Sequence, residues 1–268
     1  MPSPAFLFTS PHRVLYRGAL GQPGARVFGA AAWYVGLRGP LRWTLPDSGA
    51  QSVHGEGDVL GLAPGVVHHI AVADGPVLCY LIEPESTVLP SDPSGWPVAG
   101  ADGHLPRSDW RAQLLALDGE ALGAWEAHPI DAALDRLLLG QALPTRPLDA
   151  RIRSVVAHVQ RDPALAWQAA DAARHCGLSP SRFMHLFKAE VGTGWRAFRA
   201  WKRARGLLER VHSGENLTHL AQTLGYPDAT HFSHAIRQIT GLRPSDIVTG
   251  SRQLDVRSEP GTSPDAAS

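Results

Sequence analysis

Two sets of polar side chains recur in the last third of this chain at helical spacing. Ser181, Arg182, Met184, His185 and Lys188 occupy the faces that Phe183 and Phe187, four residues apart, leave free. Ala229, Thr230, Ser233, His234 and Arg237 do the same beside Phe232 and Ile236. Hydroxyl, imidazole and guanidinium groups on one helix face can hydrogen-bond to base edges in a DNA groove. Lys188 and Arg237, later on each segment, suit phosphates, which set register without reading sequence. This is the chemistry of recognition, and no bond-making group is needed for it.

The elements that must position these side chains form a repeat. Ala173-x3-Gly177-Leu178-Ser179-Pro180-x2-Phe183-x-His185-x-Phe187, followed by Gly192, is answered by Ala221-x3-Gly225-Tyr226-Pro227-Asp228-x3-Phe232-x-His234-x-Ile236, followed by Gly241. The alanine lets two helices approach closely and the glycine supplies a left-handed turn, which is the grammar of a helix-turn-helix. The copies are 48 residues apart at the turn glycines and 49 at the later ones, so the second turn is one residue longer. Ser179, with Pro180 after it, and Asp228 are the expected N-caps of the two second helices. Between the units, Trp195 to Val211 reads as a strut. Its apolar stripe includes Trp195, Phe198, Trp201 and Leu207, and its basic residues Arg196, Arg199, Lys202, Arg203 and Arg205 read as a solvated or DNA-facing side.

At these residues the chain resembles the AraC/XylS family of bacterial transcription regulators. The resemblance covers residues 149–249 and is strongest at Leu220-Ala221-x3-Gly225-Tyr226-x4-His231-Phe232-Ser233, closed by Gly241-x2-Pro244-Ser245. It implies seven helices, with two helix-turn-helix units bridged by a long helix. It further implies recognition helices docked in successive major-groove segments, roughly 34 Å apart, and activation by contact with RNA polymerase. Tyr226 stands where the family has Phe, Ile236 replaces an aromatic, and Ala172 replaces a larger apolar residue. His185 and His234 stand where arginine is common. A neutral imidazole makes one bond to a guanine edge and lacks arginine's bidentate fork, so a relative's target sequence does not transfer.

Charge supports a two-part protein. Residues 1–145 carry 8 basic and 14 acidic side chains, a net −6, whereas residues 146–268 carry 17 and 11, a net +6. A polyanionic partner therefore suits the C-terminal half alone. No apolar run is long enough to cross a bilayer and no signal sequence opens the chain, so no membrane partner is expected and the expected compartment is cytoplasmic. Cys79 and Cys176 read as reduced core thiols.

The first ninety residues hold short β-prone runs, such as 32–35 and 76–82, between turns rich in glycine and proline. Gly57 to His68 looks like the strand–turn–strand of cupin-type sensor domains, whose pockets take one small ligand. Trp33, Trp43 and His68 are the candidate effector-binding residues. A metal-dependent cupin enzyme with a helical appendage is the competing reading. It would need a His-x-His pair and a carboxylate upstream, and His54 and His12 stand alone. No metal, cofactor or catalytic constellation is expected.

The fold class expected is α+β: an N-terminal cupin-like β-barrel with a helical dimerisation segment, then an all-α domain with two helix-turn-helix units. The expected divisions are 1–107 for the regulatory domain, 108–139 for helices forming a homodimer surface, 140–148 for the linker, 149–249 for the DNA-binding domain and 250–268 for a disordered tail. The partners expected are double-stranded promoter or operator DNA, a second copy of the chain, a small effector and, from the resemblance, RNA polymerase. A third reading has an effector-blind protein whose barrel only dimerises.

Overall fold

The computed structural model describes residues 5–89, 107–118 and 130–258, apart from 22, 47, 73–74, 212 and 252–253. All six residues of β8 (Val77–Ile82) are buried, because this strand lies inside a sheet covered on both faces. Val77, Cys79 and Leu81 point to one core, and Leu78, Tyr80 and Ile82 to another. β8 lies between β2 (Arg13–Gly18) and β3 (Ala31–Gly36), antiparallel to both. β1 (Ala5–Thr9) and β6 (Val59–Leu62) extend the sheet on either side. A second sheet of three strands places β4 (Leu41–Thr44) between β5 (Gln51–His54) and β7 (His69–Val72).

The N-terminal half is thus a β domain, as its runs and turns suggest, but the strands form two open sheets rather than a closed barrel. The Gly57–His68 motif does not make a hairpin. Its first strand, β6, belongs to the large sheet, and the chain then crosses Ala63–Gly65 to β7 in the small one. The tail also departs from expectation. Residues Leu254–Ser258 form β9, paired in parallel with β1 at the sheet's edge, while 259–268 and the connector 91–106 lie outside the described residues.

Helices α1 (Arg107–Ala116) and α2 (Ile130–Leu139) cover the outer face of the large sheet. Trp110 and Leu114 of α1 and Leu134 and Leu138 of α2 are buried there with Phe6, Leu15 and Tyr80. Trp110 Nε1 donates to the Leu137 carbonyl at 2.7 Å. Asp135 of α2 accepts from Arg13 Nε at 3.0 Å and Nη2 at 2.8 Å, and from the Tyr80 hydroxyl at 2.6 Å. The apolar positions that suggested a partner surface therefore face the chain's own sheet. The linker is fastened too: Thr87 and Thr145 form a β-bridge, and the Thr87 hydroxyl donates to the Pro144 carbonyl at 2.6 Å.

Seven helices follow: α3 (Ala150–Arg161), α4 (Ala169–His175), α5 (Pro180–Val191), α6 (Trp195–Glu209), α7 (Leu217–Thr223), α8 (Ala229–Thr240) and α9 (Pro244–Ser251). Asp149 caps α3, accepting from Arg151 N–H at 2.9 Å. Ile152, Phe183, Phe187, Trp195 and Phe198 make one core, shared by α3 to α6. Trp201, Leu207, Leu220, Phe232 and Ile236 belong to another, which is continuous with the inner face of the large sheet. The first helix-turn-helix unit has a core of its own, whereas the second shares one with the N-terminal domain.

Candidate nucleic-acid interface

The two units have the same local architecture. In the first, Leu178 N–H donates to the Ala173 carbonyl at 2.9 Å and Gly177 N–H to Arg174 at 3.1 Å. In the second, Tyr226 N–H donates to Ala221 at 2.9 Å and Gly225 N–H to Gln222 at 2.9 Å. Gly177 and Gly225 have φ of +64° and +73°, the left-handed turn that the spacing calls for. Ala173 and Ala221 are fully buried where the paired helices meet.

The second helix of each unit, α5 or α8, is capped as expected. Ser179 accepts from Arg182 N–H at 3.4 Å, and Asp228 Oδ1 accepts from the N–H groups of Thr230 and His231, both at 2.8 Å. Phe183, Phe187, Phe232 and Ile236 are buried, so each helix is anchored along one stripe. Ser181, Arg182, Met184, His185 and Lys188 are exposed together on α5. On α8, Thr230, His234 and Arg237 are exposed and Ala229 and Ser233 half-buried. Met184 is 48 % exposed, an apolar side chain left half open to solvent. Each helix therefore presents a face with hydrogen-bonding groups toward its start and a cation near its end.

A helix-turn-helix domain family matches residues 172–249. The arabinose operon regulatory protein of Salmonella typhimurium is 26% identical over 225 residues, which is 77% of this chain and 79% of that protein. The invasion protein InvF of Salmonella typhi is 35% identical over 72 residues, 26% of this chain and 33% of that one. Among solved structures, ToxT from Vibrio cholerae O395 shares the fold at a TM-score of 0.57, with 12% identity over 89% of this chain and 96% of ToxT. Residues 172–249 are a helix-turn-helix domain, and the chain is a DNA-binding transcription regulator similar to those of the AraC/XylS type.

In this regulator the basic side of the bridging helix is not solvated. Only Arg196 is fully exposed, and Arg203 is half-buried. Arg199 donates to the carbonyls of Leu165 and Trp167, tying down the loop between α3 and α4. Lys202 and Arg205 are buried against the N-terminal domain. Glu83, just past β8, accepts from Lys202 Nζ at 2.8 Å and from Trp201 Nε1 at 2.9 Å. Arg205 Nε lies 3.0 Å from Glu83 Oε1, close enough to attract but not aligned as a hydrogen bond. Burial pushes the Glu83 carboxyl up, yet Lys202 and Arg205 outweigh it and hold its pKa below the usual range. The regulator's second unit is fastened further by Gly24 N–H to the Gly241 carbonyl at 2.8 Å and Val27 N–H to Ile239 at 3.0 Å.

Of the three candidate effector residues, Trp33 lies on the opposite face of the large sheet from Trp43 and His68. Trp33 packs on the outer face of the large sheet, under the helices, because inward and outward positions alternate and Tyr34 takes the inward one. Trp43 lies against the inner core, with Nε1 donating to His54 Nε2 at 3.2 Å. His68 is buried, bonded to the Tyr34 hydroxyl at 2.9 Å and to the Val66 carbonyl at 2.8 Å. The sequence reading missed Glu83 and Arg26. For Glu83 a signal existed: an ionisable residue directly after six apolar ones. Among the described residues, no three His, Cys, Asp or Glu side chains group to hold a metal ion. None of their helices is long and apolar enough to cross a membrane.

Proposed function

We propose that α5 and α8 enter successive major-groove segments of one promoter or operator. Ser181, Arg182, Met184 and His185 read the first segment, and Ala229, Thr230, Ser233 and His234 the second. Lys188 and Arg237 meet phosphates. The matching exposed faces on two helices, each capped at its N-terminus by a side chain, carry this reading. Docking the first helix raises the effective concentration of the second, so two weak contacts make one site. The protein acts in the cytoplasm as a homodimer, activates transcription through RNA polymerase, and is not an enzyme. A small effector biases the arrangement of its domains. Self-association through 108–139 uses the outward faces of α1 and α2, since their inward faces are occupied by the sheet.

Selection of genomic fragments with the full-length protein at near-physiological salt will enrich a site with two contacted segments about one helical turn apart. Ser181→Glu and Thr230→Glu each place a carboxylate against the groove and will weaken that site about 5- to 100-fold, from the ~1–3 kcal/mol that one base contact carries. Lys188→Ala and Arg237→Ala will each lower the slope of log affinity against log salt by about 0.9. Undiminished affinity in both glutamate variants would remove α5 and α8 from the interface.

A further inference from the structure

Among the described residues, the large apolar side chains left exposed are Val53, Val67, Val88 and Met184. Of these only Met184 belongs to the DNA-binding half, on α5, and its surroundings there are of a different kind. The other exposed side chains from Ser181 to Lys188 are Ser181, Arg182, His185 and Lys188, and every one carries a hydrogen-bonding group. Ser181 lies three residues before Met184 and Lys188 four after it, so the three are neighbours on the helix surface. Phe183 and Phe187 are fully buried and already anchor α5 to its core. Met184 adds an apolar surface on the side that faces away from that anchor.

The repeat supplies a comparison within the chain. Aligning Phe183 with Phe232 and His185 with His234 sets Met184 opposite Ser233. In the same alignment Ser181 meets Thr230 and Lys188 meets Arg237, like with like. The two faces therefore change from apolar to polar at Met184 and Ser233. Base edges in the major groove carry donors and acceptors, and the apolar group that stands out among them is the thymine C5-methyl. Pressed against an amino or carbonyl edge, a thioether chain displaces water and returns at best a weak acceptor, which costs affinity. Against a thymine methyl it buries apolar area on both sides, and its unbranched, polarizable chain can adapt to the contact.

We infer that Met184 selects a thymine in the groove segment read by α5, through apolar contact with the C5-methyl. At that base pair the protein distinguishes thymine by a methyl group, where its other exposed groups on α5 offer hydrogen bonds. Ser233 gives the second segment no equivalent contact from the matching position. The inference rests on the reading of α5 as a recognition helix and adds the base that one of its side chains selects.

The test uses the full-length protein and the DNA site enriched by genomic selection. Each thymine of that site is replaced in turn by deoxyuridine, which removes the methyl and keeps every hydrogen-bonding group of the base. At one position the replacement is expected to weaken wild-type binding about 3- to 5-fold, the worth of one buried methyl. In Met184→Ser, thymine and deoxyuridine at that position should bind equally. Met184→Gln, of similar length but polar, should lose the preference as well and decides the matter if Met184→Ser does not fold. Comparing the thymine-to-deoxyuridine ratio between wild type and variant removes any effect of the methyl on DNA shape alone. If no thymine shows a methyl effect, or the effect persists at full size in the folded variant, the inference is overturned and recognition by α5 still stands. If no site is enriched, or both glutamate variants keep undiminished affinity, the recognition-helix reading fails and the inference falls with it.

Discussion

His68 shows how much one buried side chain can set. The Val66 carbonyl can only accept, so Nδ1 carries the proton and Nε2 accepts from the Tyr34 hydroxyl. Burial is the main reason its pKa falls to about 4; the Val66 bond opposes that, and the charges of Arg26 and His69 add to it. An unfolded histidine takes its proton near 6.5, so between pH 7 and 5 the unfolded chain gains a proton that the folded one does not. Stability falls across that window, by about 2 kcal/mol from this residue. His68→Gln keeps hydrogen-bonding capacity without titrating, and urea unfolding at pH 7 and 5 should show the variant losing less stability than the wild type. Equal losses would mean that His68 titrates normally in the folded protein.

At the scale of elements, the two helix-turn-helix units share turn chemistry but not surroundings. A Cβ on Gly177 would meet nothing within 4 Å, so Gly177→Ala carries only the left-handed backbone penalty of about 1–2 kcal/mol. A Cβ on Gly225 would lie 2.8 Å from the Ala164 carbonyl oxygen, because the second turn presses on the loop between α3 and α4. Gly225→Ala is therefore expected to cost more than Gly177→Ala in denaturant unfolding, and equal costs would show that the loop yields freely. The bridging helix divides in the same way. Trp195 and Phe198 sit in the first unit's core, and Trp201, Ala204 and Leu207 in the core shared with the sheet. Close approach there requires Gly29, where a Cβ would stand 2.4 Å from that of Trp201.

For the whole molecule, this asymmetry makes the N-terminal domain and the second unit one cooperative body, joined by Glu83. Breaking a buried ion pair by removing one partner costs up to about 3–5 kcal/mol, less here because Lys202 keeps Glu85 and Arg205 keeps Glu209 as partners. Glu83→Gln should therefore reduce hydrogen-exchange protection in β8 and in Trp201–Leu207 of α6 together, with α3 to α5 less affected. Uniform loss across the seven C-terminal helices would refute the division. The Glu83 carboxyl is depressed below 4.5, so its contribution is complete above that pH and disappears as pH falls through the lower folded value. Neutral conditions keep the latch closed, and a ligand or DNA must supply the free energy to shift it.

The repeat, its caps, its turn glycines and its buried stripe were legible in the sequence because each depends on neighbours within a few residues. Ser179, Asp228, Gly177 and Gly225 do locally what their types and spacing imply. The exposed faces of α5 and α8 followed from the same periodicity. Other features depended on what lies opposite. Helical spacing places Lys202 and Arg205 on shared faces but does not say that Glu83, more than a hundred residues earlier, will meet them. Strand alternation separates Trp33 from Tyr34 without revealing which of them points inward, since both faces of that sheet are covered. Residues 254–258 alternate apolar Leu254 and Val256 with polar Asp255 and Arg257, but so short an alternation becomes a strand only by pairing with β1. Nothing in the sequence around Arg26 marks it as buried, and only tertiary packing encloses it. Local periodicity determined how this chain presents its recognition helices, while long-range burial of charge decided what holds them in place.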